Sequence, residues 1–325
     1  MERTRALCRD LAEEIGLSEE EQRHLLRAAE LAKADLTTQM VFEFPELQGI
    51  MGRYYALESG EPEPVARAIE EHYLPLSATS ELPGTRLGAL LSIADKVDTL
   101  VGYFGIGQKP TGSQDPYSLR RQAIGTLRIL LDKGLPLSLY ALVHRATELY
   151  GFPAAVEGEV LEFFQNRLEN LLEERGYRYD LVDAVLAAGF DHVGTLVPRL
   201  EALLEFRNGP DFSRVYPALN RTLRILPDRE PRPVDAALLR EPAEKALAEA
   251  LQAVRPQLNR AVQEKDYAGI LRELGTLQEP IDRFFDQVLV MDQDERVRNN
   301  RLGLLGEIAR YVLEVADITR LVPDA

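Results

Sequence analysis

"RLGALLSIADKVDTLVGYF", residues 86–104, decides the reading of this chain. Its apolar residues recur at spacings of three and four, the period of an α-helix and not the alternation of a strand. The same pattern extends outward in both directions. Upstream, Ser18 followed by Glu21 makes a capping box for a helix carrying Leu25, Leu26, Ala29 and Leu31. Pro64 opens another, with Val65, Ala68, Ile69 and His72. Downstream, Asp115 and Pro116 read as the cap and first residue of a helix that ends at Lys133, with Gly134 as the glycine beyond it. Further helical segments fall at 139–150, 156–175, 179–188 and 195–206. The proline-rich connection "LPDREPRPVD" comes next, then segments at 243–255, 257–264, 267–277, 280–290 and 298–317. With almost no alternating β-branched runs the fold class is all-α, and the lack of a fixed-period repeat argues against a solenoid.

At 325 residues the chain is long enough for two or three domains, each with its own core. A single cysteine, Cys8, cannot form an internal disulfide, which fits a reducing compartment. No run of about 18 apolar residues occurs. The first residues include Glu2, Arg3, Arg5, Arg9 and Asp10 where a signal peptide needs an apolar stretch. A cytoplasmic protein with no membrane contact is the expectation. The net charge of −15 opposes indiscriminate binding to polyanions. Arginines nonetheless form islands: Arg120, Arg121 and Arg128; Arg214, Arg221, Arg224, Arg229 and Arg232; Arg296, Arg298, Arg301 and Arg310. Such a protein would hold a polyanion in one orientation, unless the islands are ordinary solvated helix faces.

Two constellations carry chemistry. In "GIGQKPTGSQDPYSLRR", residues 105–121, the spacing of Gly107 and Gly112 matches a phosphate loop. Ser113 and Gln114 then stand where lysine and a hydroxyl residue are required, Lys109 lies inside the loop, and a helix precedes it. It is not a nucleotide P-loop. The second comprises Asp35 in "AKADL", His72 in "EEHYLP" and Asp95 in "IADKVDTL". Their order is that in which HD-type phosphohydrolases bring metal ligands from separate helices. Ala34 replaces the histidine that the motif requires, and His24, a possible upstream ligand, lies on a solvated face. These residues are read as remnants of an HD site with no metal. A metal-dependent HD-type phosphohydrolase is the alternative.

The runs "AKADLTTQMVFEFPELQGIMGRYYALESGE", "VARAIEEHYLP" and "LSIADKVDTLVGYFGIGQKPTGSQDPYSLRRQAIGTLRILL" resemble the β subunit of bacterial heterotetrameric glycyl-tRNA synthetase. "PIDRFFDQVLVMDQDERVRNNRLGLLGEIARYVLEVADITRL" is similar to the helical anticodon-binding module at that subunit's C-terminus. The resemblance covers essentially the whole chain. It implies that the sequence corresponds to the C-terminal half of the β subunit. The expected order is a degenerate HD-like helical domain at 1–135, a helical connector at 136–215 and a DALR-like anticodon-binding bundle at 216–325.

The resemblance also implies a division of labour. Glycine, ATP and magnesium belong to an α subunit of the glycine-tRNA ligase holoenzyme. This chain binds glycine tRNA, has no catalytic site or cofactor of its own, and partners the α subunit and the N-terminal half of the β subunit. Arginines suit tRNA phosphates and exposed bases. Arg221 with Arg224 and Arg298 with Arg301, each pair one turn apart, are candidates, with Tyr216, Phe284 or Phe285 available for stacking. Arg120, Arg121 and Arg128 are candidates for a second tRNA contact. A scaffold that only mates subunits is a third reading.

Overall fold

Local signals set where the helices begin. Ser18 Oγ accepts from the Glu21 N–H at 3.3 Å while the Glu21 carboxylate accepts from the Ser18 N–H at 3.0 Å, so the capping box is formed. Gly134 takes the left-handed conformation, φ 57°, that ends its helix. The computed structural model describes residues 1–228 and 232–322. Among them there is no strand, only an isolated bridge between Thr111 and Gln114, and no helix is long and apolar enough to cross a membrane. The all-α expectation holds.

The chain divides into two compact units, residues 1–171 with 191–195, and residues 172–190 with 196–325. The first contains α1 (Glu2–Glu14), α2 (Glu19–Leu31), α3 (Gln39–Glu43), α4 (Ile50–Glu58), α5 (Glu63–Glu71), α6 (Arg86–Gly105), α7 (Leu119–Lys133), α8 (Leu139–Tyr150) and most of α9 (Ala154–Glu174). Helix α6 is its axis, packed by α1, α2, α5, α7 and α8. Leu90, Leu91, Ile93, Val97, Leu100 and Val101 on it are all fully buried. Each such side chain contributes roughly 1.5–3 kcal/mol by leaving water.

The second unit contains α10 (Tyr179–Ala187), α11 (Leu196–Asn208), α12 (Phe212–Ile225), α13 (Pro242–Glu264), α14 (Tyr267–Gly275), α15 (Gln278–Gln287) and α16 (Glu295–Leu313). Helix α12 packs on α15 and α16, and α13 on α14 and α15. Arg199 on α11 is buried without a carboxylate. Its guanidinium donates to the carbonyls of Val185, Gly189 and Val315 at 2.6–2.9 Å, supplying donors that helix ends lack. Burial lowers its pKa to about 10.

Three local expectations are corrected. Helix α7 starts at Leu119 and not at Pro116: the Asp115 carboxylate reaches over a turn to accept from the N–H groups of Leu119 and Arg120 at 2.7 and 2.9 Å. The break expected near residue 256 is absent, since α13 runs through Pro256. Pro256 and Gln252 are exposed, so the carbonyl deprived of its donor faces water, while buried Leu251 and Leu258 hold the inner face on both sides. Helix α12 was not anticipated and tolerates Pro217 at an exposed position in the same way.

Candidate functional site

Asp35, His72 and Asp95 come from a short turn after α2, the end of α5 and the middle of α6. Asp35 is 2% exposed, and its Oδ2 accepts from the N–H groups of Gly49 and Gly52 at 2.7 and 3.1 Å. That cradle needs glycine: Gly49 has φ 78°, and a Cβ on Gly52 would stand 2.8 Å from Ile69 Cγ2 and 3.1 Å from the same Asp35 oxygen. His72 is fully buried. Its Nδ1 lies 2.6 Å from the Ile69 carbonyl, so Nδ1 carries the proton, and Nε2 has no partner. Burial pulls its pKa down to about 4, against an opposing pull from Asp95, which keeps the ring neutral and Nε2 an acceptor.

The surrounding groups are cationic. Asp95 pairs with the Lys33 ammonium. The next residue, Lys96, is 4% exposed and donates to the His72 and Leu74 carbonyls and to Ser92 Oγ at 3.1, 2.9 and 2.7 Å. Burial lowers its pKa to about 8. Gly125 on α7 permits this, because a Cβ there would lie 3.1 Å from Lys96 Cε. Asp35 is held by backbone, Asp95 faces an ammonium, and a second ammonium lies behind. Among the described residues no group of three or more His, Cys, Asp or Glu side chains is arranged to hold a metal. These residues do not fit a divalent ion, which would have to displace two positive charges. The metal-dependent phosphohydrolase alternative therefore has no site at these positions.

Sequence reasoning identified the three HD positions and passed over both lysines, although Lys33 and Lys96 lie within the same quoted motifs. They line a cavity of about 510 Å³, together with His72, Tyr73, Asp95 and Arg121. Tyr103 and Tyr117 stand at it too, stacked at 4.1 Å between centroids. The glycine-rich loop thus carries Tyr117 to the cavity, and its Lys109 pairs with Glu159.

The other arginines have divergent fates. Arg120 donates to the Gly112 carbonyl, and Arg128 to the carbonyls of Ser77 and Ser80. Exposed Arg221 on α12 lies over the Phe285 ring at 4.3 Å, and Arg224, one turn on, is also exposed. Arg298 is half-buried against the Asp292 carbonyl. Arg301 is a correction: at 4% exposure it is ion-paired with Glu244 and with Asp292 at 2.8 Å, and it donates to the Leu289 carbonyl, so it holds the bundle and presents nothing to a ligand. The stacking candidates are corrected likewise, because Tyr216, Phe284 and Phe285 are buried in the core. Arg229 lies outside the described residues.

Residues 219–318, which include exposed Arg221 and Arg224, match the family model described as the DALR anticodon binding domain. Residues 1–187 match the model described as glycyl-tRNA synthetase beta subunit. The chain belongs to the glycyl-tRNA synthetase beta subunit family. Similar relatives, each called glycine--tRNA ligase beta subunit, come from Desulforamulus reducens (44% identical, 99% of this chain and 47% of the relative) and Geobacter metallireducens (46%, 99% and 47%). Another, from Aromatoleum aromaticum, is 48% identical over 91% of this chain and 43% of the relative. The chain spans about half the length of the curated relatives it matches.

Proposed function

We propose that the chain is the tRNA-binding, C-terminal part of a glycine-tRNA ligase β subunit. It supports ATP-dependent glycylation carried out at an α subunit in the cytoplasm, in company with the rest of the β chain. The observation that carries this reading is the exposed pair Arg221 and Arg224 within the stretch that matches an anticodon-binding module. Phe285 supports the Arg221 guanidinium from below, so an unstacked base can lie on it while its N–H groups donate to phosphate. Arg298, half-exposed on α16, is a further phosphate contact.

Titration of the protein with glycine tRNA and with an anticodon-altered version, at two salt concentrations, tests this. Glycine tRNA is expected to bind more tightly at both. Arg221→Ala should cost about 1–3 kcal/mol and narrow the difference between the tRNAs, whereas Arg298→Ala should weaken both equally and reduce the salt dependence. Equal affinity of the unaltered protein for the two tRNAs would remove the anticodon-binding assignment.

A further inference from the structure

The cavity beside the former HD residues is better equipped than a relic needs to be. Its 510 Å³ falls within the roughly 300–1,000 Å³ of small-molecule sites. Lys33, Lys96 and Arg121 face a single carboxylate, Asp95, which leaves an excess of positive charge. Lys96 has three protein acceptors and acts through its field. Arg121 is exposed, and its guanidinium makes no hydrogen bond or ion pair among the described residues, so its donors are available. His72 Nε2 and the Tyr73 hydroxyl, both buried on the cavity wall, have no partner, a state that polar groups inside proteins rarely keep. The stacked Tyr103 and Tyr117 offer an aromatic platform, and Tyr117 is 41% exposed.

We propose that this cavity is a binding site for a nucleoside 5′-phosphate. Arg121 and Lys33 donate to the phosphate, and the tyrosine pair stacks on the base. The two ammonium groups take over the charge that a metal would supply in a hydrolase of this shape. A single phosphate suits the site better than a polymer, because a polyanion needs a track of cations. The arginines along α7 do not provide one: Arg120 and Arg128 are turned to carbonyls of their own unit. The inference is independent of the tRNA-binding reading, which rests on the second unit.

The test is calorimetric titration of the whole chain, without added metal, with the four ribonucleoside 5′-monophosphates, adenosine and inorganic phosphate. At least one monophosphate should bind, with adenosine roughly tenfold weaker or worse. Arg121→Ala should weaken the monophosphate and inorganic phosphate by roughly tenfold or more, and Tyr117→Ala should weaken the monophosphate alone. Both positions are exposed, so both variants should fold as the parent does. Failure to bind any monophosphate at millimolar concentration overturns the proposal. So does monophosphate affinity that neither substitution changes, or an Arg121→Ala variant that loses only glycine-tRNA affinity, which would assign the cluster to the polymer.

Discussion

Two clusters of buried charge occupy the two units, and they have opposite characters. Around Arg301 the account closes: the guanidinium meets Glu244, Asp292 and the Leu289 carbonyl, while Glu244 also accepts from the N–H groups of Arg240 and Glu241 at the start of α13. Around Lys96 it stays open: cations outnumber carboxylates, His72 Nε2 and the Tyr73 hydroxyl lack partners, and a cavity adjoins them. Burial of charge therefore does not by itself mark a site. A closed cluster serves the fold, and an unsatisfied one beside a cavity is organised for something that is not protein.

The largest test of this contrast is Arg301→Ala. Leaving the fully buried Glu244 without its partner should cost about 3–5 kcal/mol of stability in urea unfolding, whereas Glu244→Leu combined with Arg301→Met should recover most of the loss. A loss below about 1 kcal/mol, the scale of exposed pairs, would mean that the cluster does not hold the bundle.

The second test concerns protons. Burial pulls His72 down to about 4 in the folded chain from its ordinary value of 6.5 in the unfolded chain, so the unfolded state binds the proton first as pH falls. Stability linked to His72 is complete above pH 6.5 and is lost between 6.5 and 4, about 3 kcal/mol in all. Lys96 acts with the same sign at the other end: its folded pKa of about 8 lies below the ordinary 10.5, so stability rises with pH across that window. In His72→Leu the slope of unfolding free energy between pH 6.5 and 4 should be shallower than in the parent, while Arg301 variants should leave it unchanged. Equal slopes in parent and His72→Leu would show that the ring is not held neutral.

These contrasts were only partly legible beforehand. Helix α6 and the Ser18 box depend on neighbours within a turn, and they were readable. Asp95 and His72 stood out through motif order. Lys96 did not, although a lysine set among Ile93, Ala94, Val97 and Leu100 interrupts an apolar face, which is the one local signal that it is buried. Arg221 with Arg224 and Arg298 with Arg301 share the same spacing and separate only in three dimensions. The partner that draws Arg301 inward is Glu244, 57 positions away, and no local pattern announces it. Pro256 misled for a related reason, because a proline's cost depends on whether the freed carbonyl faces water.

The third test separates a cradled carboxylate from a metal ligand, and what decides it is the difference between two variants at one position. Asp35 is bound by two backbone N–H groups that approach because Gly52 has no side chain. Gly52→Ala would push a methyl group against Ile69 and the Asp35 oxygen, and such overpacking costs about 1–3 kcal/mol. Asp35→Asn keeps a carbonyl oxygen able to accept both bonds, so it should be milder than Asp35→Ala, which strands two buried donors at about 1–3 kcal/mol each. A metal ligand would respond in the reverse sense: the asparagine would lose the charge that binds the ion, and added zinc or manganese would stabilise the parent and not the variant. Thermal unfolding of the three variants with and without those ions reads both effects. A graded loss from Asn to Ala that the ions do not alter is the expected result, and it would fix Asp35 as a carboxylate that holds the backbone of Gly49 and Gly52 and not as part of a metal centre.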